Sequence, residues 1–197
     1  MRILPLEFYQ QEDTLALSQE LLGKLLFTQW EGGERCAGII VETEAYMGPE
    51  DKASHAYNNR RTARTEIMFH EGGVSYVYLC YGMHHLFNIV THREGTPHAI
   101  LIRAIEPIEG VQTMLARSKR TQPTPLWTSG PALLTQALGI KVHHTGIPLN
   151  SSHLWIEDHG IVYSSDQIIA GPRVGVSYAK EYADRPWRFR IHSFTGK

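Results

Sequence analysis

The chain is poor in cysteine and has no long apolar run, and each scarcity excludes a class of protein. Its 197 residues include two cysteines, Cys36 and Cys80, and neither belongs to a CxxC pair. Two cysteines cannot form the disulfide framework of a small secreted domain. The sequence has no stretch of about 18 uncharged apolar residues, and its first residues lack a basic region followed by an unbroken apolar one. We therefore expect a soluble intracellular protein without a membrane span.

The chain also lacks an excess of basic charge. Its 19 lysine and arginine residues against 20 aspartate and glutamate residues give a net charge of −1, which excludes binding of a polyanion by bulk charge alone. The balance is uneven, at −6 over residues 1–50, +3 over 51–120 and +2 over 121–197. This pattern indicates either ordinary surface variation or a local basic face. The candidates for such a face are Arg60, Arg61, Arg64, Arg117, Lys119 and Arg120.

Apolar and strand-forming sequence is plentiful. The 42% of hydrophobic residues suffice for one buried core, so we expect a single domain over residues 1–197. Strands mixed with a few helices, without βαβ alternation, predict an α+β fold. Asp13 is the predicted cap of the first helix. The predicted helices cover 14–22, 107–117 and 131–138, and the predicted strands cover 24–29, 36–46, 74–81, 86–91, 98–105, short stretches near Leu154 and Ile161, and 187–191.

The strand that ends at Tyr46 carries the first candidate for chemistry. Side chains alternate along a strand, so Glu42, Glu44 and Tyr46 share one face. A carboxylate partly buried beside aromatic rings can act as a general base that activates water. The alternative is an exposed strand face with solvated glutamates, and this stretch alone does not distinguish Glu42 from Glu44.

A second predicted strand is dense in tyrosine. Tyr76 and Tyr78 share a face, and Tyr81 comes at the strand end just before Gly82. An aromatic ring at a hairpin tip is poorly placed for a core and well placed to insert into a stack of bases. The alternative is the ordinary preference of tyrosine for strands.

Eleven histidines, among them the pairs at 84–85 and 143–144, raise the question of a metal. The sequence contains no HExxH or HxH motif and no zinc-type Cys/His spacing, so we expect no metal site. Another histidine, His55, lies in a polar loop over 50–73, whose length is typical of a functional loop. A metal-dependent hydrolase built on the histidines stays an alternative, which activity in EDTA would exclude.

A series of short motifs follows one order along nearly the whole chain. They are the decapeptide 42–51 (ETEAYMGPED), His55, 60–62 (RRT), 68–69 (MF), 76–78 (YVY), 81–83 (YGM), Asn88, 101–107 (LIRAIEP), 130–131 (GP) with 136–138 (QAL), 173–176 (RVGV) and 186–189 (PWRF). In this combination the chain closely resembles the alkyladenine (3-methyladenine) DNA glycosylase family. Each block is weak alone, and the ordered set is highly specific.

This resemblance implies catalytic roles and a basic contact surface. It identifies Glu44, rather than Glu42, as the carboxylate that activates the attacking water. Arg103 matches a residue that holds the water and Glu44 in place. Three arginines of the polar loop become candidates for contacts to the DNA backbone, namely Arg60, Arg61 and Arg64.

The resemblance also implies a base-binding pocket and a wedge. Tyr46, His55 and Tyr78 match the walls that sandwich and hydrogen-bond a flipped purine. Asn88 matches a position that rejects guanine through its exocyclic amine. Tyr81 matches the residue that enters the minor groove and fills the gap left by the flipped nucleotide.

The implied fold is a single mixed domain around a curved antiparallel sheet with a protruding hairpin that inserts into DNA. The implied partner is double-stranded DNA containing damaged purines, with no cofactor and a monomeric enzyme, at the nucleoid of a bacterium or in a eukaryotic nucleus. No lysine occupies the matched catalytic positions, so we expect a monofunctional glycosylase that leaves the strand uncut.

The implied reaction is hydrolysis of the N-glycosidic bond of a flipped damaged purine. The candidate substrates are 3-methyladenine and other alkylpurines, with hypoxanthine and ethenoadenine as further lesions. An alternative of a different class is a non-catalytic module that uses the same hairpin to bind damaged DNA.

Overall fold

The computed structural model describes residues 2–192, and their nine strands form one antiparallel sheet. The strands are β1 (Arg2–Ile3), β2 (Leu25–Thr28), β3 (Cys36–Met47), β4 (Ser75–Cys80), β5 (His84–Thr91), β6 (His98–Glu109), β7 (Leu154–Asp158), β8 (Ile168–Gly171) and β9 (Arg188–Ile191). The α-helices are α1 (Thr14–Glu20), α2 (Val111–Arg117) and α3 (Pro131–Leu138), and short 3-10 helices cover Leu6–Gln10, Tyr57–Asn59, Glu66–Phe69, Val142–His144, Ser165–Gln167 and Ser177–Tyr182.

Strand β3 lies at the centre of the sheet. The strand order is β1-β7-β2-β3-β6-β5-β4, and β9 pairs with both β3 and β8. The β3–β6 pair shifts register on either side of Glu42. Such irregularities increase local twist and redirect side chains next to a site. The antiparallel sheet with few helices confirms the predicted α+β class.

The hairpin of β4 and β5 ends at the sheet edge opposite β1. Its turn spans residues 81–83, with Cys80 paired to His84 across the turn. Tyr81 and Gly82 both have positive φ, at 52° and 71°. The left-handed backbone is unfavourable for tyrosine and easy for glycine. The protruding hairpin predicted from the resemblance is therefore present.

The core lies between the sheet and the three helices. Asp13 caps α1 as predicted, because its Oδ1 accepts from the backbone N–H groups of Leu15 and Ala16 at 3.0 and 2.9 Å. The buried face of α1 presents Leu17 toward the core. Helix α3 packs on β5 and β6, and α2 packs on α3. These contacts fix the long central strands that carry the candidate site.

Two predicted elements are wrong in their bounds. Strand β6 continues through Pro107 to Glu109, and the next helix begins only at Val111. Pro107 lies opposite Gly38, next to a register shift where a missing N–H is tolerated. Gly110 then turns the chain at φ 69°, where a Cβ would lie 2.5 Å from a backbone oxygen.

The predicted strand near Ile161 is also absent. Ile161 instead packs beside β2, and its carbonyl oxygen lies 2.6 Å from where a Cβ on Gly23 would be. A close approach of this kind requires glycine at position 23. The eighth strand, Ile168–Gly171, comes later in the chain and was not predicted. Within residues 2–192 we find no helix with the length and apolar character needed to cross a membrane.

Candidate active site

A cavity of about 480 Å³ lies between the end of β3, the loop over 50–73, the β4–β5 hairpin, β6 and the segment 173–178. This volume is within the range of about 300–1,000 Å³ that is usual for small-molecule sites. The cavity brings together most of the residues predicted for the site. They are Tyr46, His55, Tyr78, Tyr81, Asn88 and Arg103.

Glu44 lies behind the cavity wall and is 0% exposed. Its Oε2 accepts from the Tyr46 hydroxyl at 2.8 Å, and its Oε1 accepts from the backbone N–H of Val174 at 2.8 Å. The Nη1 atom of Arg103 lies 3.4 Å from Oε1. Since Tyr46, Val174 and Arg103 all line the cavity, the carboxylate is held directly beneath its surface.

Glu42 is buried beside Glu44 and is bonded to two arginines. Its Oε1 accepts from Nε of Arg103 at 3.0 Å and forms an ion pair with Nε of Arg188 at 2.8 Å. The alternative of an exposed face with solvated glutamates is therefore wrong. Arg103 touches both carboxylates, so Glu42 fixes the guanidinium that approaches Glu44. The two glutamates therefore have different partners. Glu42 is paired with two arginines, whereas Glu44 accepts hydrogen bonds from Tyr46 and Val174 and lies near Arg103.

The surroundings of Glu44 set its proton affinity. Burial raises the pKa of Glu44 above the usual carboxyl value. The charge of Arg103, the N–H of Val174 and the hydroxyl of Tyr46 each act to lower that pKa, and Glu42 acts to raise it. A carboxylate with a raised pKa in a desolvated site is a better proton acceptor than a solvated one.

Aromatic rings form part of the cavity wall. The ring of His55 meets the ring of Tyr78 edge-on at 4.6 Å, and its Nδ1 lies 2.7 Å from the Tyr76 hydroxyl. Burial, and then the charges of Arg64 and Arg60, lower the pKa of His55 to about 4. His55 is thus a neutral ring at physiological pH. His55 and Tyr78 thus give this part of the cavity an uncharged aromatic lining.

Asn88 lies on β5, where it lines the cavity, and is 4% exposed. Its Nδ2 donates to the carbonyl oxygens of Tyr76 at 3.2 Å and Leu86 at 3.3 Å. Two backbone acceptors fix the plane of the amide. Asn88 therefore presents a rigid polar group to the cavity.

Tyr81 stands at the tip of the hairpin and is 89% exposed. Met83, two residues further along the turn, is also exposed. Large exposed apolar side chains at a protruding tip mark a contact surface rather than a core. The ring is part of the cavity rim and projects from it.

The arginines of the polar loop lie at the surface near the cavity. Arg60 and Arg64 are exposed and close enough to influence His55. Arg61 is exposed as well, but its Nη1 pairs with Glu66 at 2.6 Å and its guanidinium stacks on Phe69 at 3.9 Å. The structure therefore leaves Arg61 more constrained than its two neighbours.

Sequence reasoning missed the ion pair that holds the segment 173–178 against the site. Arg173 bonds both carboxylate oxygens of Asp51, and the two side chains are fully buried. Its guanidinium also lies 4.6 Å from the ring of Tyr46 and donates to the carbonyl of Ala45 at 2.8 Å. Both residues occur in the quoted motifs, but they are 122 positions apart and no local pattern pairs them.

In the described part of the chain, no group of three or more histidine, cysteine, aspartate or glutamate side chains could hold a metal ion.

Comparisons with known proteins agree with the motifs. The sequence profile of the methylpurine-DNA glycosylase family matches residues 7–194. A relative from Chlamydia abortus, named "Putative 3-methyladenine DNA glycosylase", is 47% identical over 191 residues, which is 96% of this chain and 98% of the relative. A relative of the same name from Bacillus mycoides is 46% identical over 205 residues, covering 98% of each chain. The chain belongs to the methylpurine-DNA glycosylase family and is a hydrolytic DNA N-glycosylase.

Proposed function

We propose that this glycosylase flips alkylated purines, 3-methyladenine among them, into the 480 Å³ cavity and hydrolyses their N-glycosidic bond with water activated by Glu44. One observation carries the proposal. A fully buried carboxylate that accepts two hydrogen bonds and lies 3.4 Å from Arg103 is held behind the wall of a cavity that is lined in part by tyrosine and histidine rings. A protein that only binds DNA has no need to keep such a carboxylate desolvated.

The chemistry follows from the position of Glu44. The oxygen of a water molecule bonds to C1′ of the sugar while the bond from C1′ to the base nitrogen breaks. Glu44 accepts the proton of the water, and the base leaves with the bonding electron pair. The positive charge that develops on the sugar is stabilised by the nearby carboxylate. Arg103 holds Glu44 in place through its Nη1 contact.

The aromatic walls favour a cationic base. The faces of Tyr46 and Tyr78 are electron-rich, and His55 is neutral because its pKa is lowered to about 4. An alkylated purine that already carries a positive charge leaves as a neutral molecule and needs no general acid. We therefore rank cationic alkylpurines above the neutral lesions hypoxanthine and ethenoadenine. The fixed amide of Asn88 is the proposed gate against guanine.

The hairpin supplies the wedge. We propose that Tyr81 enters the minor groove and fills the space left by the flipped nucleotide, while Arg60 and Arg64 contact the DNA backbone. Arg61 joins them once its pairing with Glu66 opens. We further propose that residues 1–197 act as one domain and as a monomer on chromosomal DNA.

Release of free base tests the proposal. The wild-type enzyme, in excess over DNA and in the presence of EDTA, is incubated with each substrate in turn. The substrates are methylated DNA and duplexes that carry one hypoxanthine or one ethenoadenine. We expect free methylpurine and a strand that stays intact until alkali cleaves the abasic site, since no lysine lines the described cavity. Tight binding of lesion duplexes without release of any base would instead support the non-catalytic binding module.

A further inference from the structure

A second cavity, of about 740 Å³, lies on the other side of the β4–β5 hairpin. From His85 onward the residues of β5 alternate faces, so His85 lines this cavity whereas Leu86 and Asn88 line the candidate active site. His84, next to the turn of the hairpin, also lines the second cavity. At the start of α3, Pro131 lines the active site and Ala132 lines the second cavity. The hairpin therefore separates two cavities that open on either side of its tip.

The second cavity, which we call the histidine cavity, has a positive and hydrogen-bonding lining. Among the residues that line it, all within the described part of the chain, none is aspartate or glutamate. A concave surface with cations and without carboxylates suits an anionic ligand. Its polar lining includes His84, His85, Arg117, Lys141, His143 and His144.

Two of these histidines are fixed as hydrogen-bond donors. Nδ1 of His85 accepts from the backbone N–H of Val142 at 3.1 Å, and Nδ1 of His144 accepts from the backbone N–H of Lys141 at 3.0 Å. A neutral histidine whose Nδ1 accepts a hydrogen bond carries its proton on Nε2. Burial lowers the pKa of both rings, that of His144 to about 4, in keeping with the neutral form.

The floor of the histidine cavity is rigid. His144 stacks on Trp30 with ring centroids 3.7 Å apart, and the indole N–H of Trp30 donates to the carbonyl of Leu138 at 2.8 Å. Arg117 is half-buried and its Nη1 donates to the carbonyl of Ala137 at 3.4 Å. Lys141, in contrast, is exposed. Of the two lysine and arginine side chains that line the described cavity, Lys141 is the more exposed and is the one that can extend toward a ligand.

We propose that the histidine cavity binds a backbone phosphate of the DNA strand opposite the lesion, with Lys141 supplying the charge and His85 and His144 donating through Nε2. This inference rests on the proposed function, in which Tyr81 enters the minor groove. A hairpin in that groove has one strand on each side. The damaged strand passes over the active site, because its nucleotide enters there. The complementary strand then passes over the histidine cavity.

Salt dependence of binding tests the charge. Each phosphate neutralised by a cation contributes a slope of about −0.9 to log K against log salt. We therefore expect Lys141→Gln to reduce the slope for a lesion duplex by about 0.9 and to weaken binding about eightfold at 0.1 M salt. Arg2→Gln is the matched control, since Arg2 is exposed on β1 at the opposite edge of the sheet. All binding measurements carry Glu44→Gln, which keeps the lesion in place.

Strand-specific neutralisation tests the location. Duplexes carry one uncharged methylphosphonate near the lesion, either in the complementary or in the damaged strand. We expect a complementary-strand position at which neutralisation weakens binding with Lys141 present and has no further effect in Lys141→Gln. An unchanged salt slope in Lys141→Gln would overturn the proposal. So would a result in which Lys141→Gln removes the effect of neutralising a phosphate in the damaged strand and not in the complementary strand. If the wild type still releases base, the proposed function survives that result.

Discussion

At the scale of single residues, the properties of the site depend on the protein groups that surround the buried carboxylate of Glu44. Its carboxylate accepts hydrogen bonds from the Tyr46 hydroxyl and the Val174 N–H and lies 3.4 Å from Nη1 of Arg103; these contacts lower its pKa, whereas burial raises it. The balance leaves the pKa of Glu44 raised. A raised carboxyl pKa has consequences for the pH dependence of the reaction and for the stability of the fold.

The pH dependence of excision follows from the charge on Arg103. In the proposed reaction only ionised Glu44 accepts a proton, so we expect the excision rate to fall as the pH drops through the pKa of Glu44. Arg103 lowers that pKa, and we therefore expect Arg103→Met to move the acid limb of the pH–rate profile to higher pH. If the excision activity of Arg103→Met is too low for a pH–rate profile, a carbon NMR titration of the Glu44 carboxyl measures the same change in pKa. Arg188→Met is the control, because the Arg188 side chain forms its ion pair with Glu42 rather than with Glu44. An unmoved limb in Arg103→Met contradicts the assignment.

The stability of the fold gives a second prediction. Because the pKa of Glu44 is raised on folding, the ionised carboxylate opposes folding, and this cost is full above the folded pKa. The cost decreases as the pH falls below the folded pKa and is absent below the unfolded pKa. We expect Glu44→Gln to increase the free energy of unfolding at pH 7.5 by about 0.5–2 kcal/mol, the usual range for a single stabilising substitution. Urea unfolding at several pH values checks this. The difference in free energy of unfolding between the variant and the wild type should decrease toward pH 4. A variant that is less stable than the wild type at pH 7.5 would refute the prediction.

At the scale of structural elements, the hairpin and the segment 173–178 do different work. The hairpin carries an exposed ring at its tip, whereas the segment is tied to the loop after β3 by the buried pair of Arg173 and Asp51. That pair sets the position of Val174, the donor to Glu44. One element is therefore free to contact DNA and the other is fixed.

Removing the ring at the hairpin tip should affect DNA and not folding. Tyr81 makes little contact with its own protein, so we expect Tyr81→Ser to leave the free energy of unfolding within about 0.5 kcal/mol of the wild type. Stacking of one base on an aromatic ring is worth about 1–3 kcal/mol, so the Kd for a lesion duplex should rise roughly 5- to 150-fold. Val162→Ser removes an exposed apolar side chain elsewhere and serves as control. Equal Kd values for the Tyr81 variant and the wild type would show that the wedge is wrong.

Breaking the buried ion pair should affect both folding and catalysis. Arg173→Met leaves the carboxylate of Asp51 buried without its partner, and such losses cost about 3–5 kcal/mol. We also expect slower excision, because Val174 is released from Glu44. Denaturant unfolding and single-turnover rates measure the two effects. Lys52→Met breaks the exposed pair with Glu181 and should change neither; similar behaviour of the two variants would contradict the role of Arg173.

At the scale of the whole molecule, much of the architecture could be predicted from local pattern. Alternation along β3 placed Glu42, Glu44 and Tyr46 on one face, and the structure brings them together there. The cap at Asp13 was likewise local. Such features depend on neighbours within a few residues, which the sequence displays directly.

Other features could not be predicted because they depend on distant parts of the chain. Pro107 indicated a helix start, but pairing of β6 with β3 continues the strand beyond it. The burial of Glu44 and its contact with Val174 required residues 130 positions apart to meet. Choosing Glu44 over Glu42 came from the family resemblance, and the geometry now gives the two carboxylates different partners.

The charge distribution of the whole molecule is also clearer in the structure. The net charge of −1 is spread over a chain whose first 50 residues carry a balance of −6. The cationic side chains proposed to meet DNA lie instead around the hairpin, in the polar loop and the histidine cavity. A low net charge is therefore compatible with DNA binding through one face.

The most direct test of the central claim compares binding and excision in Glu44→Gln. Single-turnover release of base from a lesion duplex and the Kd for that duplex are measured for the wild type and the variant. We predict a Kd within about threefold of the wild type and an excision rate lower by roughly 10²–10⁴-fold, the usual contribution of a general base. Excision near the wild-type rate, or a loss of binding that matches the loss of rate, would contradict a catalytic role for Glu44.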